Sequence, residues 1–179
     1  MERSRRVFGA VPLALLPVMV VAGPVPAAAS AAPVLVTCAG TTTVAFSPGL
    51  TDEERTVGVS GQDVASICLS LTNPGLTGFV GPFSGTATQS CTSLFAGGSG
   101  TETLHWNNGT SSTWSYTNSF SNVNGTKVGT STGPITSGTL SGAEVTQTIT
   151  YPNLDLTACS TAEGLTFLSG VDTWTITRS

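Results

Sequence analysis

The sequence has little positive charge. It carries 6 Lys and Arg against 10 Asp and Glu in 179 residues, a formal net charge of −4. Half of the basic residues lie within the first six positions, so the chain from Ser30 onward holds 3 positive and 9 negative charges. Neutralising a phosphate backbone or an anionic membrane surface takes clustered Lys and Arg. This composition excludes a nucleic-acid partner and a polybasic membrane anchor.

Histidine and closely spaced cysteines are also scarce. His105 is the only histidine, and the 4 cysteines include no Cys-x-x-Cys pair. A structural zinc site needs four such ligands at short spacings, and a Ser-His-Asp triad would have to use His105. We therefore expect no metal and no cofactor, and we assign no catalytic residue.

Only one long apolar run occurs, and it lies at the N-terminus. A basic start, an apolar run over residues 7–22 and a small-residue stretch ending at Ala29 are the three parts of a secretory signal peptide. The run is shorter than the roughly 20 residues that a membrane span needs. We predict a signal peptide over residues 1–29, cleaved after Ala29 or Ala31, and a secreted, extracellular mature chain without a membrane span.

Small and hydroxylated residues are abundant instead. From Ser30 onward the chain has 30 Thr, 20 Ser and 19 Gly, which favours strands and turns over helices. Apolar residues then alternate at period two between turns rich in Gly, Pro and Asn, which predicts one all-β domain over residues 33–179. Residues 62–82 are read as a longer connection, in which residues 64–69 could form one helical turn. The eight predicted strands are Thr41–Phe46, Thr56–Gly61, Phe83–Cys91, Gly100–Trp106, Thr110–Ser121, Thr126–Thr136, Gly142–Tyr151 and Val171–Arg178.

Four cysteines in an exported chain indicate two disulfides. If successive strands run up and down, Cys38 and Cys68 come to one end of the sheet, and Cys91 and Cys159 come to the other. A strand of seven residues spans roughly 23 Å, whereas a disulfide needs Cα atoms within about 7 Å. The predicted bonds are therefore Cys38 with Cys68 and Cys91 with Cys159.

Two architectures fit eight antiparallel strands joined by short turns. We expect a two-sheet, immunoglobulin-like sandwich, because it brings Cys91 and Cys159 together easily. The alternative is an eight-stranded meander barrel, in which the loop over residues 152–165 would have to cross the mouth of the barrel.

The turn Asn107-Asn108-Gly109 sets the register of one hairpin. A two-residue loop would put the large side chains of its two strands on opposite faces, whereas a three-residue loop with a left-handed Gly109 puts them on one face. Because burying four large side chains together stabilises by several kcal/mol, we predict the three-residue loop, with His105 facing outward. The four side chains are Leu104, Trp106, Trp114 and Tyr116.

Several strands carry a polar residue where the alternation requires an inward one. Buried polar groups need partners, so these residues either bond one another as a structural plug, lie in water at the rim, or line a cup with a polar mouth and aromatic walls. A cup of that kind is typical of small-molecule pockets. The candidate ligand-binding residues are Gln89, Glu102, Asn118, Gln147, Asp172, Trp114 and Tyr116.

Four segments resemble a group of uncharacterised exported actinomycete proteins that are β-rich and disulfide-bonded. This resemblance implies no particular function. More loosely, Phe46 to Gly61 resembles the neocarzinostatin-type chromoproteins, which are secreted, acidic, immunoglobulin-like sandwiches that hold an apolar chromophore. The four segments are Thr37–Thr41, Phe46–Leu50, Trp106–Gly109 and Asn153–Cys159.

The scarcity of charged and catalytic residue types favours a secreted, non-catalytic β-domain that binds a small molecule or a glycan. The alternative is a structural or interaction protein of the cell envelope, with Thr-rich faces as its working surface. A third, less favoured hypothesis is a glycan-cleaving enzyme that uses Glu102 and Asp172, because that chemistry needs a pair of carboxyl groups.

Overall fold

The structure is a computed structural model that describes residues 32–152 and 154–178. The predicted signal peptide and both proposed cleavage points lie outside these residues. The described part of the chain forms eight strands and one short 3₁₀ helix, Thr157–Ser160. The strands are β1 (Val34–Leu50), β2 (Arg55–Ser70), β3 (Phe79–Gln89), β4 (Gly98–Trp106), β5 (Ser111–Val123), β6 (Thr126–Gly138), β7 (Ala143–Tyr151) and β8 (Leu165–Arg178).

The eight strands close into an antiparallel barrel in chain order, with β8 paired back onto β1. The predicted immunoglobulin-like sandwich is therefore wrong, and the meander barrel stated as the alternative is the observed fold. The closing ladder is long, running from the Val34–Thr177 pair to the Leu50–Leu165 pair. The pairing of β8 with β1 covers the two edge strands that an open eight-stranded sheet would expose.

The predicted helical turn at residues 64–69 is also wrong, because this segment continues β2 as far as Ser70. A bulge in the β1–β2 ladder explains the error. Ala39 pairs with Ile67 and Gly40 pairs with Ala65, which leaves Ser66 without a partner across the ladder. Buried positions in β2 therefore change from a spacing of two residues to a spacing of three, which imitates the periodicity of a helix.

Both predicted disulfides are confirmed. Cys38 and Cys68 are direct cross-strand partners within β1 and β2, whereas the strand bounds predicted from the sequence leave both outside the strands. Cys91 follows β3 and Cys159 lies in the 3₁₀ helix, so the loop after β7 reaches across the mouth of the barrel. Two such bonds are typical of proteins from oxidising compartments. In the described part of the chain, no helix has the length and apolar character needed to cross a membrane.

The predicted three-residue hairpin loop between β4 and β5 is confirmed. The Trp106 amide donates to the Thr110 carbonyl over 2.9 Å, and Gly109 has a φ of 85°. Leu104, Trp106 and Trp114 are buried on one face and Tyr116 packs against them, whereas His105 is exposed.

The interior of the barrel has an apolar cluster at each end and a polar zone between them. The tryptophan end, beside the Cys38–Cys68 bond, includes Trp106, Trp114 and Trp174. The loop end, beside the Cys91–Cys159 bond, contains the buried residues Phe46, Leu50, Val57, Cys91, Ile149, Tyr151, Cys159, Leu165 and Leu168. The buried polar side chains between these clusters form the polar belt, which consists of Thr42, Asp63, Glu102, Ser131, Gln147 and Asp172.

Candidate functional site

A cavity of about 170 Å³ lies between the polar belt and the loop end. The wall formed by the loop end is apolar and includes Phe46, Phe95 and Phe120, and the opposite wall is polar. Because the two walls differ so strongly, the cavity can hold a molecule that is polar at one end and apolar at the other. The polar lining residues are Thr42, Asp63, Gln89, Glu102, Tyr116, Asn118, Ser131, Gln147 and Tyr151.

Two glycines on the strands make room for the large polar side chains of this wall. A Cβ atom at Gly81 of β3 would overlap Glu102 Oε1, and one at Gly100 of β4 would lie 2.6 Å from the Tyr116 hydroxyl. The side chains of Glu102 and Tyr116 therefore lie directly against the backbone of a neighbouring strand. Any larger residue at either glycine would push the polar group out of its position.

The polar belt holds three carboxyl groups, those of Asp63, Glu102 and Asp172, which are 3, 4 and 3% exposed. Burial raises the pKa of Glu102, and the charge of the neighbouring Asp63 carboxyl and a hydrogen bond to it contribute to the final value of about 9. Burial also raises the pKa of Asp63 to about 6, although the Thr42 hydroxyl opposes this rise and the Asp172 charge adds to it. At neutral pH Glu102 is therefore protonated, while most Asp63 is ionised.

Asp172 has a different environment within the belt. Burial raises its pKa, and a hydrogen bond donated by Gln147 Nε2 to Asp172 Oδ2 over 3.2 Å opposes the rise. Trp174 also opposes it, although its Nε1 has no partner at hydrogen-bonding geometry. The pair of Gln147 and Asp172 matches the structural plug that we considered from the sequence.

Much of the hydrogen-bonding capacity of the belt remains unused. One buried oxygen on each of four side chains has no hydrogen-bond partner among the described residues, and three of those side chains line the cavity. Buried polar atoms are nearly always paired with protein or water, so these oxygens can accept hydrogen bonds from water or from a bound molecule. The four atoms are Asp63 Oδ1, Glu102 Oε1, Asn118 Oδ1 and Asp172 Oδ1.

The structure brings most of the predicted site residues together. Gln89, Glu102, Asn118, Gln147 and Tyr116 all line the cavity. The two others do not reach it. Asp172 is bonded to Gln147, and Trp114 is fully buried with its ring centre 4.6 Å from that of Tyr116. Ligand binding by any of the seven stays a prediction.

Sequence reasoning missed three members of the polar belt, namely Thr42, Asp63 and Ser131. A signal for Asp63 exists, because it continues the alternation of Val57 and Val59 along β2. It was missed because residues 62–82 were assigned to a connection. Thr42 and Ser131 carry no such signal, since small hydroxylated residues occupy both faces of these strands.

The barrel wall is incomplete between β3 and β4. Only Phe79 with Trp106 and Val80 with His105 are paired across this seam, so β3 beyond Val80 has no ladder partner on that side. The turn after β3 fills part of the gap with Leu94 and Phe95. Two lining residues on β3, Phe83 and Gln89, are only half-buried.

The described residues contain no group of three or more His, Cys, Asp and Glu side chains placed to hold a metal ion.

Comparison of the chain with protein families, curated proteins and solved structures found no match. The resemblance to exported actinomycete proteins therefore stays a prediction. The sandwich implied by the looser resemblance to the chromoproteins differs from the barrel observed here.

Proposed function

We propose that this chain is an exported, non-catalytic β-barrel domain that acts through its outer surface, as a structural or interaction protein of the cell envelope. The observation that carries the proposal is a group of exposed apolar side chains near the tryptophan end. Contiguous exposed apolar surface on a protein commonly marks a site of protein–protein contact. We call this group the apolar patch, and it consists of Val34, Ile67, Leu69 and Leu71.

The backbone explains why these residues lie outside. Ile67 and Leu69 alternate with the buried Cys68, so both point away from the interior. They are 65 and 72% exposed, and Leu71, just beyond the strand, is 96% exposed. The pairing of Val36 with Ser70 brings Val34 on β1 close to Leu71.

The interior supports a surface role more than a catalytic one. Glu102 and Asp172, the pair that a glycan-cleaving enzyme would use, lie inside the barrel and are 4 and 3% exposed. A polysaccharide chain cannot reach carboxyl groups in that position. The cavity of about 170 Å³ is also smaller than the roughly 300 to 1,000 Å³ of most ligand pockets, which disfavours a glycan as its occupant.

The test is retention on the envelope fraction of the producing cells. The purified wild-type protein is expected to sediment with that fraction, and Ile67→Ser combined with Leu69→Ser should leave most of the protein in the supernatant. Val123→Ser, which removes a 51% exposed apolar side chain at the β5–β6 turn, is the matched control and should behave as wild type. A wild-type protein that stays in the supernatant would exclude this function.

A small-molecule binding module remains the second candidate, and the cavity with its unpartnered oxygens favours it. The size of the cavity restricts such a ligand to a few non-hydrogen atoms. This candidate is independent of the apolar patch, since the two features lie on different sides of the barrel wall.

A further inference from the structure

The cavity combines a pair of buried carboxyl groups with an aromatic wall. Asp63 and Glu102 line it with oxygens that have no hydrogen-bond partner among the described residues, and both residues are more than nine-tenths buried. On the opposite side, the rings of Phe95 and Phe120 meet edge to face with centres 5.1 Å apart. Hydrogen-bond acceptors therefore face one end of a guest, and apolar rings face the other end.

The carboxyl groups of Asp63 and Asp172 contribute negative charge on the polar side of this cavity. None of the basic side chains in the described residues lines it. Burial raises the pKa of Tyr151 to about 12, and Asp63 and Asp172 contribute to that rise. Burial likewise raises the pKa of Tyr116, with Glu102 and Asp63 contributing. The carboxyl groups of the belt therefore act on hydroxyl groups at two separate points of the cavity wall.

We propose that this cavity binds a small primary ammonium ion that carries a short apolar chain, with Asp63 as the counter-ion of the ammonium group. The ammonium group has three donors and no acceptor, which matches a wall of unpartnered oxygens. The chain would lie among the phenylalanine rings of the loop end. An anionic guest is disfavoured at the polar wall, because its charge would meet the Asp63 carboxylate there. Lys127 Nζ lies away from this wall, over the Phe95 ring and 4.8 Å from its centre.

The size of the cavity limits the guest. A cavity of about 150 Å³ can hold a benzene molecule, so a volume of about 170 Å³ suits a guest of roughly five to eight non-hydrogen atoms. A monosaccharide with its hydroxyl groups would leave many donors against the apolar wall. A metal ion is also a poor match, because the described residues hold no cluster of three ligating side chains.

In this proposal the guest enters through the seam between β3 and β4. Phe83 and Gln89 of β3 line the cavity and are only half-buried, and the ladder to β4 stops at Val80. No atom lies within 4 Å of a Cβ built at Gly85. A small guest can pass this seam without breaking a strand-to-strand hydrogen bond.

The test compares three four-carbon probes at pH 7 and equal ionic strength: n-butylammonium chloride, n-butanol and sodium n-butyrate. At about 100 times its dissociation constant, the ammonium ion is expected to raise the melting temperature by roughly 5 to 10 °C. Butyrate and butanol should give little or no rise. If butylammonium up to roughly 100 mM has no more effect than sodium chloride, the cavity holds only water and the proposal is wrong. An equal effect of butanol would also overturn it, because the cavity would then select apolar guests without regard to charge.

Three variants distinguish binding in the cavity from nonspecific attraction of the ammonium ion to surface charge. Asp63→Asn should weaken butylammonium binding by about 30-fold or more, because it removes the buried counter-ion. Glu102→Gln should weaken it much less, because the Glu102 carboxyl is already neutral at this pH. Glu144→Gln on the exposed face of β7 is the control and should leave binding unchanged. A control that loses as much binding as Asp63→Asn would overturn the proposal.

A measurement on the wild-type protein covers the case in which Asp63→Asn does not fold. Nuclear Overhauser contacts are expected between the butyl chain and the rings of Phe120 and Tyr116, which line the cavity. Contacts with Leu69 or Leu71 of the apolar patch instead would place the ligand outside the barrel and refute the site.

Discussion

The two ends of the barrel differ in how fully their buried polar atoms are hydrogen-bonded. At the tryptophan end, Trp106 Nε1 donates to Ser112 Oγ over 2.8 Å, and Trp114 Nε1 donates to the Gly133 carbonyl over 3.1 Å. The third indole, that of Trp174, lies next to Asp172 of the polar belt, and its Nε1 has no partner at hydrogen-bonding geometry among the described residues. At the polar belt next to the loop end, Asp63 and Glu102 have unpartnered oxygens. The two regions share one chain and one set of strands, so the difference comes from which side chains meet inside.

The two ends also differ in strand pairing, which is more complete at the tryptophan end. The β3–β4 ladder exists only at the tryptophan end, where Phe79 pairs with Trp106. At that end Trp174 meets Phe79 and Trp114 edge to face, with ring centres 5.0 and 5.1 Å apart. A closed wall and a dense aromatic interior stabilise the fold, whereas an open seam and unused acceptors provide space and chemistry for a guest. We infer that one end holds the barrel together and the other leaves it able to bind.

The largest effect is expected when one aromatic side chain is truncated to alanine at each end of the barrel. Trp114→Ala should lower the free energy of unfolding by about 3 to 5 kcal/mol, because the ring is fully buried and leaves a cavity that its neighbours cannot fill. Phe95→Ala at the loop end should cost about half as much, because that ring is only half-buried. Urea unfolding with the disulfides intact measures both values. Equal losses would mean that the two ends stabilise the barrel alike.

The pH dependence of stability tests the polar belt. The pKa of Glu102, about 9, and that of Asp63, about 6, lie above the ordinary values of 4.5 and 3.8, so the native state keeps protons that the unfolded chain has released. Stability should be greatest below about pH 4 and fall as the pH rises through both native values. One such group costs up to about 1.4 kcal/mol per pH unit, so between pH 5 and pH 7 Glu102 accounts for a loss of about 2.5 kcal/mol and Asp63 for about 1 kcal/mol more.

Two variants test whether the Glu102 carboxyl causes this pH dependence. Glu102→Gln should remove most of the loss between pH 5 and pH 7, whereas Glu144→Gln, on the exposed side of β7, should keep it. Denaturant unfolding at a series of pH values gives the slope for each protein. If the wild-type free energy of unfolding stays constant or rises between pH 5 and pH 7, the pKa values of Glu102 and Asp63 are not raised in the native state.

The smallest expected effect concerns the seam. Every second backbone amide of β3 from Gly81 to Gln89 faces β4 without a ladder partner. These amides should exchange at least about tenfold faster than the alternate amides of the same segment, which face β2. Hydrogen exchange followed by nuclear magnetic resonance resolves the two sets. Equal protection would mean that the seam is closed in solution and that access to the cavity lies elsewhere.

Much of the local structure could be predicted because it depends on neighbours in sequence. Gly109 can adopt the left-handed conformation, so the hairpin register and its buried tryptophans follow from one turn. The disulfide pairs follow from strand parity, since a bond cannot span the length of a strand. The inward polar positions Glu102 and Gln147 follow from the alternation of β4 and β7.

The site could be predicted only in part. Reading residues 62–82 as a connection hid Asp63, and the Asp63 carboxyl is the largest contribution to the raised pKa of Glu102 after burial. The glycine at position 81 that accommodates Glu102 lies on a different strand. These contacts join residues far apart in the chain, and no local pattern reports them.

The amino-acid sequence by itself determined that the chain forms antiparallel strands, how its cysteines pair and which hairpin register buries the tryptophans. Tertiary structure alone decided between sandwich and barrel, because the same alternation of inward and outward side chains serves both folds. The choice depends on whether β1 can pair with β8, and that pairing joins the two ends of the domain. Closure then placed three carboxyl groups in one low-dielectric interior, where burial and mutual repulsion set their protonation.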